Sequence, residues 1–143
     1  MTGASMTPQF IDSAGLRPAS DLVLAGPLAF VNGLIGADLE RPKVALAESV
    51  EAQTRHIMRN LDALLAAQGL SRKQVVAVTV WLRDFSRFRE RFEKVWPECF
   101  MDGQRPTRQL VGATGLVRDA LVSMDFVIAR PGTMTFQPLA GQA

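Results

Sequence analysis

The stretch Ala120–Ala129, A-L-V-S-M-D-F-V-I-A, determines how this chain is expected to fold. Successive side chains of a β-strand point to opposite faces of a sheet, and the residues here alternate in that way. One set is wholly apolar and is expected to face the core: Val122, Met124, Phe126 and Ile128. The other set mixes apolar and polar side chains: Leu121, Ser123, Asp125 and Val127. The stretch therefore predicts a strand with one buried face and one face that is only half apolar.

Other strands are predicted on both sides of this one in the sheet. Val75–Leu82 is dominated by β-branched residues and is apolar on both faces, with Val75, Ala77 and Trp81 alternating against Val76, Val78, Val80 and Leu82. Asp21–Ala25 and Leu28–Leu34 are separated by the turn pair Gly26-Pro27 and predict a hairpin. Thr107–Thr114 predicts the strand before the last one.

Two amphipathic stretches lie between these strands. From Ala45 to Gln68 apolar residues recur at steps of three and four, which predicts a helix that ends at Gly69 in the left-handed conformation. A second helix is predicted after Asp84, with this apolar face: Phe88, Phe92, Val95, Trp96 and Phe100. The order β-β-α-β-α-β-β predicts an α+β fold in which both helices cover one face of a four- or five-stranded sheet. Because two helices cannot cover both faces, we expect the half-apolar face to pack against another copy of the chain.

Length and composition are those of one globular domain. The chain has 143 residues, of which 48% are hydrophobic and 21% charged. We expect an ordered domain over residues 18–130, with loosely held ends at 1–17 and 131–143 that are rich in small and polar residues. The apolar runs are too short to cross a bilayer. The first residues lack the basic start and apolar stretch of a secretory signal, so a cytoplasmic location is expected.

The chemistry that the composition permits is limited. Cys99 and His56 are the only residues of their kinds, so neither an intrachain disulfide nor a zinc site of the usual type is predicted, and no cofactor is expected. One run has helical spacing and could follow a phosphate backbone: Arg87, Arg91 and Lys94. Glu90 and Glu93 are interleaved with it and the net charge is only +2. The run is therefore expected to be a solvated helix face, and nucleic acid is not the expected partner.

Several segments, taken in order, resemble the RidA/YjgF family. Pro18-Ala-Ser20 and Leu28–Gly33 resemble its P-Y-S segment and the strand that ends in S-G-Q, and Gln53–Leu70 resembles its first helix. Arg105-Pro-Thr-Arg108-Gln-Leu-Val111 is similar to the family's P-A-R-x-x-V, and Ala120–Ala129 is similar to its closing V-E-I-E-A-I-A strand. The resemblance implies a chorismate-mutase-like subunit and a homotrimer with clefts between its subunits.

The resemblance also implies an activity that needs no cofactor. Members of the family hydrolyse reactive enamine or imine intermediates of amino-acid metabolism to 2-keto acids and ammonia. Arg108 matches the arginine that holds the substrate carboxylate, for which a guanidinium offers a bidentate fork. The other residues expected at the substrate are Ala19, Asn32, Gly33 and Leu110, the last two through backbone groups.

The acidic residue that orients water in the family has no direct counterpart in this chain. Counting along the strand from Arg108 puts that glutamate at Ser123, and Asp125 occupies the next position on the same face. The catalytic candidates are therefore Arg108, Ser123 and Asp125. Asp125 is one methylene shorter than glutamate and is equally consistent with an ordinary strand residue, because a misplacement of about 1 Å can cost about a hundredfold in rate.

Two further departures make the predicted cleft more apolar. Ala19 replaces the family's tyrosine, and the residue after Gly33 is Leu34 where the family has glutamine. Two alternatives to the hydrolase remain open. One is a non-catalytic protein that binds small carboxylates through Arg108 and has lost the water-holding acid. The more distant one is a ribonuclease or RNA-binding protein, for which no aromatic residues are interleaved with basic ones to stack on bases.

Overall fold

A computed structural model describes residues 7–12 and 18–132, which form a six-stranded sheet and two helices. The elements are β1 (Gln9–Ile11), β2 (Leu22–Ala25), β3 (Leu28–Leu34), α1 (Val50–Ala66), β4 (Val75–Arg83), α2 (Phe85–Val95), β5 (Thr107–Ala113) and β6 (Val122–Ala129). The strand order is β1-β2-β3-β6-β4-β5. Only β4 and β5 pair in parallel, and a parallel pair needs a crossover connection, which α2 supplies.

Both helices pack on one face of the sheet, which confirms the predicted α+β arrangement. The apolar set of β6 is completely buried beneath them: Val122, Met124, Phe126 and Ile128. Leu61 of α1 and Phe92 of α2 are buried against the same face. Removal of this apolar surface from water is the main force that holds the helices on the sheet.

The first strand, β1, was not predicted. It lies in the 1–17 segment that was expected to be loosely held, and it pairs antiparallel with β2, with Phe10 opposite Val23. Three residues are too few to show an alternating pattern, so this strand depends on the backbone pairing that its neighbour offers. The sheet therefore has six strands instead of four or five. Residues 1–6, 13–17 and 133–143 of the predicted ends lie outside the described residues.

The first helix begins five residues later than predicted. Residues 45–49 are not helical, and the side-chain oxygen of Ser49 accepts a hydrogen bond from the Ala52 N–H at 3.0 Å. Such a cap satisfies one of the N–H groups that have no partner in the first helical turn. The helix ends at Ala66, two residues before the predicted Gln68. Gly69 has the predicted left-handed conformation, with a φ of +70° that glycine adopts easily.

A bulge in β4 changes which of its residues face the core. The register against β6 shifts between Val75 and Ala77, so that Val75 lies in the core at 4% exposure and Val76 is 44% exposed. The alternation expected along Val75–Leu82 therefore fails at its first two residues. An inserted residue of this kind depends on the partner strand and leaves no mark in the pattern of one strand.

The face of the sheet opposite the helices is uncovered within the described part of the chain. Half-exposed apolar side chains from five strands lie on it: Val23, Phe30, Ala77, Trp81, Val111 and Val127. This confirms the predicted half-apolar face. That a second copy of the chain covers it stays a prediction, based on the rarity of large apolar patches on monomers.

Candidate functional site

Arg108 lies on β5, an edge strand of the sheet, and its side chain is on the face that carries the helices. The register places it beside Val78 of β4, which is buried in the core. Glu93 of α2 binds the guanidinium end-on, with Nη1 at 2.5 Å from Oε1 and Nη2 at 3.1 Å from Oε2. The Cζ atom of Arg108 also lies 5.0 Å from the centre of the Trp96 ring. A bidentate ion pair and a cation–π contact therefore hold this side chain together.

The surroundings of Arg108 are rigid but partly open to water. The Arg108 side chain is 24% exposed and that of Glu93 is 37% exposed, so solvent screens the pair in part. The hydrogen bond from Arg108 lowers the pKa of Glu93, which keeps Glu93 ionised at neutral pH. The Trp96 ring packs against Phe92 and Phe100, with ring centres 5.8 and 5.4 Å away. A cluster of three tilted aromatic rings thus packs beside the guanidinium.

One edge of the Arg108 guanidinium is unused within residues 7–12 and 18–132. Glu93 takes the two terminal nitrogens, and no described residue accepts a hydrogen bond from Nε. A guanidinium carries five N–H donors in a plane, so Nε and the neighbouring Nη form a second bidentate edge. That edge can donate two hydrogen bonds to another carboxylate without displacing Glu93.

The other two catalytic candidates, Ser123 and Asp125, lie on the opposite face of the sheet from Arg108. Asp125 accepts hydrogen bonds from the Gly33 N–H at 2.7 Å and from the indole N–H of Trp81 at 2.8 Å, one on each carboxylate oxygen. It thereby ties β3 and β4 to β6, which lies between them. Ser123 is buried and sits opposite Trp81. The backbone donor of Gly33 that was expected to serve the substrate is used by Asp125 in this arrangement.

The predicted substrate-binding residues Ala19, Asn32 and Gly33 meet at one cavity of about 280 Å³. Gly33 has a φ of +66° and falls where the pairing of β3 with β6 shifts register, a conformation that other residues adopt only with strain. The remaining lining includes the apolar side chains Leu34, Leu64 and Val117. The cavity therefore combines a polar rim with an apolar wall.

A single copy of the chain does not bring Arg108 to this cavity. β3 and β5 are three strand positions apart, which is about 14 Å at a strand spacing of about 4.8 Å. Leu110 stays with Arg108 on β5, where it is partly buried against the core. The predicted site thus falls into two parts, the β5 edge and the region of the cavity. Asp125 belongs to the cavity region, because it accepts a hydrogen bond from Gly33.

Three residues around the site were not identified from the sequence. Glu93 was taken for a solvated acid among basic residues, but it binds Arg108; Trp96 was assigned to the core only. Glu93 and Trp96 are three residues apart, which on a helix indicates a shared face, and a half-buried arginine usually has a carboxylate partner. Trp81 binds Asp125 because a partly buried indole N–H needs an acceptor.

The basic run on α2 is largely paired with acids. Arg91 contacts Glu51, with Nη2 at 3.1 Å from Oε1, and the Lys94 amine lies 4.0 Å from a Glu90 carboxylate oxygen. Cys99 is buried, and burial raises the pKa of its thiol to about 11. Among the described residues no group of three His, Cys, Asp or Glu side chains could hold a metal ion, and no helix is long and apolar enough to span a membrane.

These features define an α+β fold with an ion-paired arginine on a sheet edge and a separate small cavity. The family model described as Endoribonuclease L-PSP matches residues 13–130, and the chain belongs to this family, which includes the RidA and YjgF proteins. A RutC family protein of Aquifex aeolicus is 32% identical over 114 residues, 79% of this chain and 89% of that protein. The chloroplastic Reactive Intermediate Deaminase A of Arabidopsis thaliana is 34% identical over 87 residues, 59% of this chain and 46% of that one. The crystal structure of RidA from Psychrobacter sp. matches with a TM-score of 0.75 and 25% identity, over 85% of this chain and 99% of that one.

Proposed function

We propose that this protein is a RidA-like hydrolase that converts reactive enamine and imine intermediates of amino-acid metabolism to 2-keto acids and ammonia. The observation that carries the proposal is the Arg108 guanidinium, which is held in a defined place and keeps its Nε edge open for a carboxylate. The name of the Arabidopsis relative, a reactive intermediate deaminase, supports the same chemistry.

The proposed reaction needs only water and proton transfers. An enamine first becomes the imine: its terminal carbon gains a proton, its nitrogen loses one, and the double bond moves from between the two carbons to between C2 and nitrogen. Water then adds to C2, the carbon–nitrogen bond breaks, and nitrogen leaves as ammonia while the oxygen becomes the keto oxygen. Nothing is oxidised or reduced overall, so the atoms balance without a cofactor. The task of the protein is to hold the carboxylate and to place water over C2.

A complete site in this proposal requires two copies of the chain. The β5 edge of one subunit, with Arg108 and Leu110, meets the cavity of a neighbour, with Ala19, Asn32 and Gly33. The uncovered apolar face of the sheet supplies a surface for such association. A homotrimer with three equivalent clefts, as the family resemblance implies, closes these contacts by symmetry.

The assignment of the water-placing residue distinguishes the hydrolase from a second candidate function. Ser123 occupies the position of the family's glutamate without a carboxylate, and both oxygens of Asp125 already accept hydrogen bonds. Each carboxylate oxygen can accept a second hydrogen bond, so Asp125 retains the capacity to hold water. The engagement of Asp125 nonetheless favours the alternative of a non-catalytic protein that binds small carboxylates through Arg108.

The decisive experiment generates 2-aminoacrylate or 2-iminobutyrate in place and follows the release of keto acid and ammonia with and without protein. We expect the parent to accelerate release and Arg108→Ala to abolish that effect. Arg105→Ala is the matched control, since it removes an exposed arginine three residues earlier and should keep the parent's rate. An Arg108→Ala variant as active as the parent would show that the anchor is misassigned. If the parent has no activity but binds keto acids through Arg108, the binding protein replaces the hydrolase.

Two variants of β6 test how water is placed. If the cleft lacks a positioned carboxylate, Ser123→Glu should raise hydrolysis by about a hundredfold or more. If Asp125 already does this work, Asp125→Ala should be the damaging change and Ser123→Glu should add little. Rates are compared at equal folded protein, because Ser123 is buried and the change can reduce stability. If neither variant alters hydrolysis while Arg108→Ala still removes ligand binding, this strand does not activate water.

A further inference from the structure

The acid Glu93 on α2 contacts Arg108 directly, and we propose that it is a positioning residue for carboxylate binding. It holds the Arg108 guanidinium so that the Nε edge faces the ligand, and it stays bound when the ligand arrives. The inference rests on the proposed function of Arg108 as the substrate anchor and extends that site to the crossover helix.

The geometry of the pair supports this role. Glu93 binds both terminal nitrogens of Arg108, and because a guanidinium is planar, two such bonds also fix the direction of Nε. The centre of the Trp96 ring lies 5.0 Å from Cζ, so a cation–π contact also holds the guanidinium. Glu93 lies on α2 and Trp96 follows directly after it. Phe92 and Val95 of the same helix are buried in the core. The guanidinium is therefore held by a rigid element.

Two modes of ligand binding are possible, and they give Glu93 opposite effects. A ligand carboxylate could take the place of Glu93 on the terminal nitrogens, in which case Glu93 competes with the ligand. Alternatively the ligand adds at the Nε edge, for which no described residue provides an acceptor, and the pair with Glu93 is retained. The second mode breaks no existing contact and does not leave the Glu93 carboxylate unpaired beside the aromatic rings. It is therefore the favoured mode.

The entropy cost of immobilising Arg108 and the charge repulsion from Glu93 can also be compared, and the comparison favours the second mode. A long arginine side chain loses rotamer freedom when a ligand immobilises it, and an arginine that is already fixed avoids most of that cost. The negative charge of Glu93 opposes an incoming carboxylate, but the pair is partly exposed and therefore screened by water and salt. Ordering by Glu93 should therefore outweigh its repulsion, and removal of Glu93 should weaken binding.

The test measures the affinity of 2-ketobutyrate, the keto acid formed from 2-iminobutyrate, by titration calorimetry. We expect Glu93→Ala to weaken binding by about threefold to tenfold, the cost of immobilising one flexible side chain. Glu93→Gln keeps one acceptor oxygen, so its affinity should fall between those of the parent and Glu93→Ala. Glu90→Ala is the matched control, because it removes an equal charge from an exposed position of the same helix and should leave binding unchanged. Melting curves establish equal folded content, and Glu93→Gln alone suffices if Glu93→Ala does not fold.

A second readout separates positioning from a general structural effect. With the imine substrate, Glu93→Ala should raise KM and leave kcat within about twofold, because the anchor acts equally on bound substrate and transition state. Binding by Glu93→Ala or Glu93→Gln that equals or exceeds the parent's, while Arg108→Ala does not bind, would overturn the role of Glu93 and leave the anchor intact. Failure of the parent to bind, or full binding by Arg108→Ala, would instead refute the proposed function of Arg108, and the role of Glu93 with it.

Discussion

Replacement of Asp125 by alanine tests the hydrogen bonds that tie the central strands together. Asp125 lies on β6 and accepts one bond from the Gly33 N–H on β3 and one from the Trp81 indole on β4, at 2.7 and 2.8 Å. Alanine removes both acceptors at once. It adds no bulk and suits a half-exposed strand position, so the loss of these two bonds is the main effect of the change.

The size of the effect follows from the exposure of the two donors. A hydrogen bond to a charged group contributes about 1.5–3 kcal/mol when its partners are shielded from water. The Gly33 N–H is exposed and can bond to water instead, so its share falls to about 0.5–1 kcal/mol. The Trp81 indole is partly buried and should lose about 1–2 kcal/mol. Asp125→Ala should therefore lower the free energy of unfolding by about 1.5–3 kcal/mol, and Tm by roughly 5 to 10 °C.

Urea denaturation followed by circular dichroism measures this change. Parent and variant are compared at one protein concentration, because association would stabilise the folded state in a concentration-dependent way. Asp125→Asn keeps one acceptor oxygen, and we expect it to lose about half as much stability. An Asp125→Ala protein within about 0.5 kcal/mol of the parent would refute the reasoning, because an effect that small is typical of surface positions without specific contacts.

Three further predictions concern packing, thiol chemistry and association. Gly36→Ala should lower the free energy of unfolding by about 1–3 kcal/mol, because its Cβ would lie 2.8 Å from the Gln53 carbonyl oxygen; unchanged denaturation would mean that the backbone yields freely. Cys99, whose thiol pKa is raised to about 11 by burial, should stay protonated at pH 7 and react with a thiol reagent only on unfolding; rapid labelling of the folded protein would contradict this. Phe30→Lys should dissociate the proposed homotrimer and leave each chain folded, and sedimentation that shows an unchanged oligomer would place the interface elsewhere.

The regular part of the fold could be predicted from local patterns. The alternation in Ala120–Ala129 gave the correct buried face of β6, and the three-and-four spacing after Ala45 gave α1, because these periods reflect the geometry of each element alone. Local patterns failed at β1, which is three residues long, and at the bulge near Val75. Both features exist because of the strand alongside, and the sequence of one segment does not contain that information.

The candidate residues of the site were identified by residue type and order, and several of them share an element or a cavity. Arg108 and Leu110 lie together on β5, and Ala19 and Asn32 line one cavity. The hydrogen-bond and ion-pair partners of these residues could not be predicted from the sequence. Glu93 was assigned to solvent, because an acid among basic residues on a helix has the same pattern whether its outer end meets water or an arginine of the sheet.

The sequence by itself determined the type of the main elements, the buried faces of β6 and of both helices, and the residue types able to hold a carboxylate. These follow from short-range periodicity and from the chemistry of single side chains. Only the tertiary structure decided that the Asp125 carboxylate accepts hydrogen bonds from Gly33 and Trp81, which are 92 and 44 residues away. It also decided that Glu93 of α2 binds Arg108 of β5. The physical reason is that a hydrogen bond forms only when the donor–acceptor distance is right to within a few tenths of an ångström. Strand register and helix packing set that distance for groups far apart in the sequence.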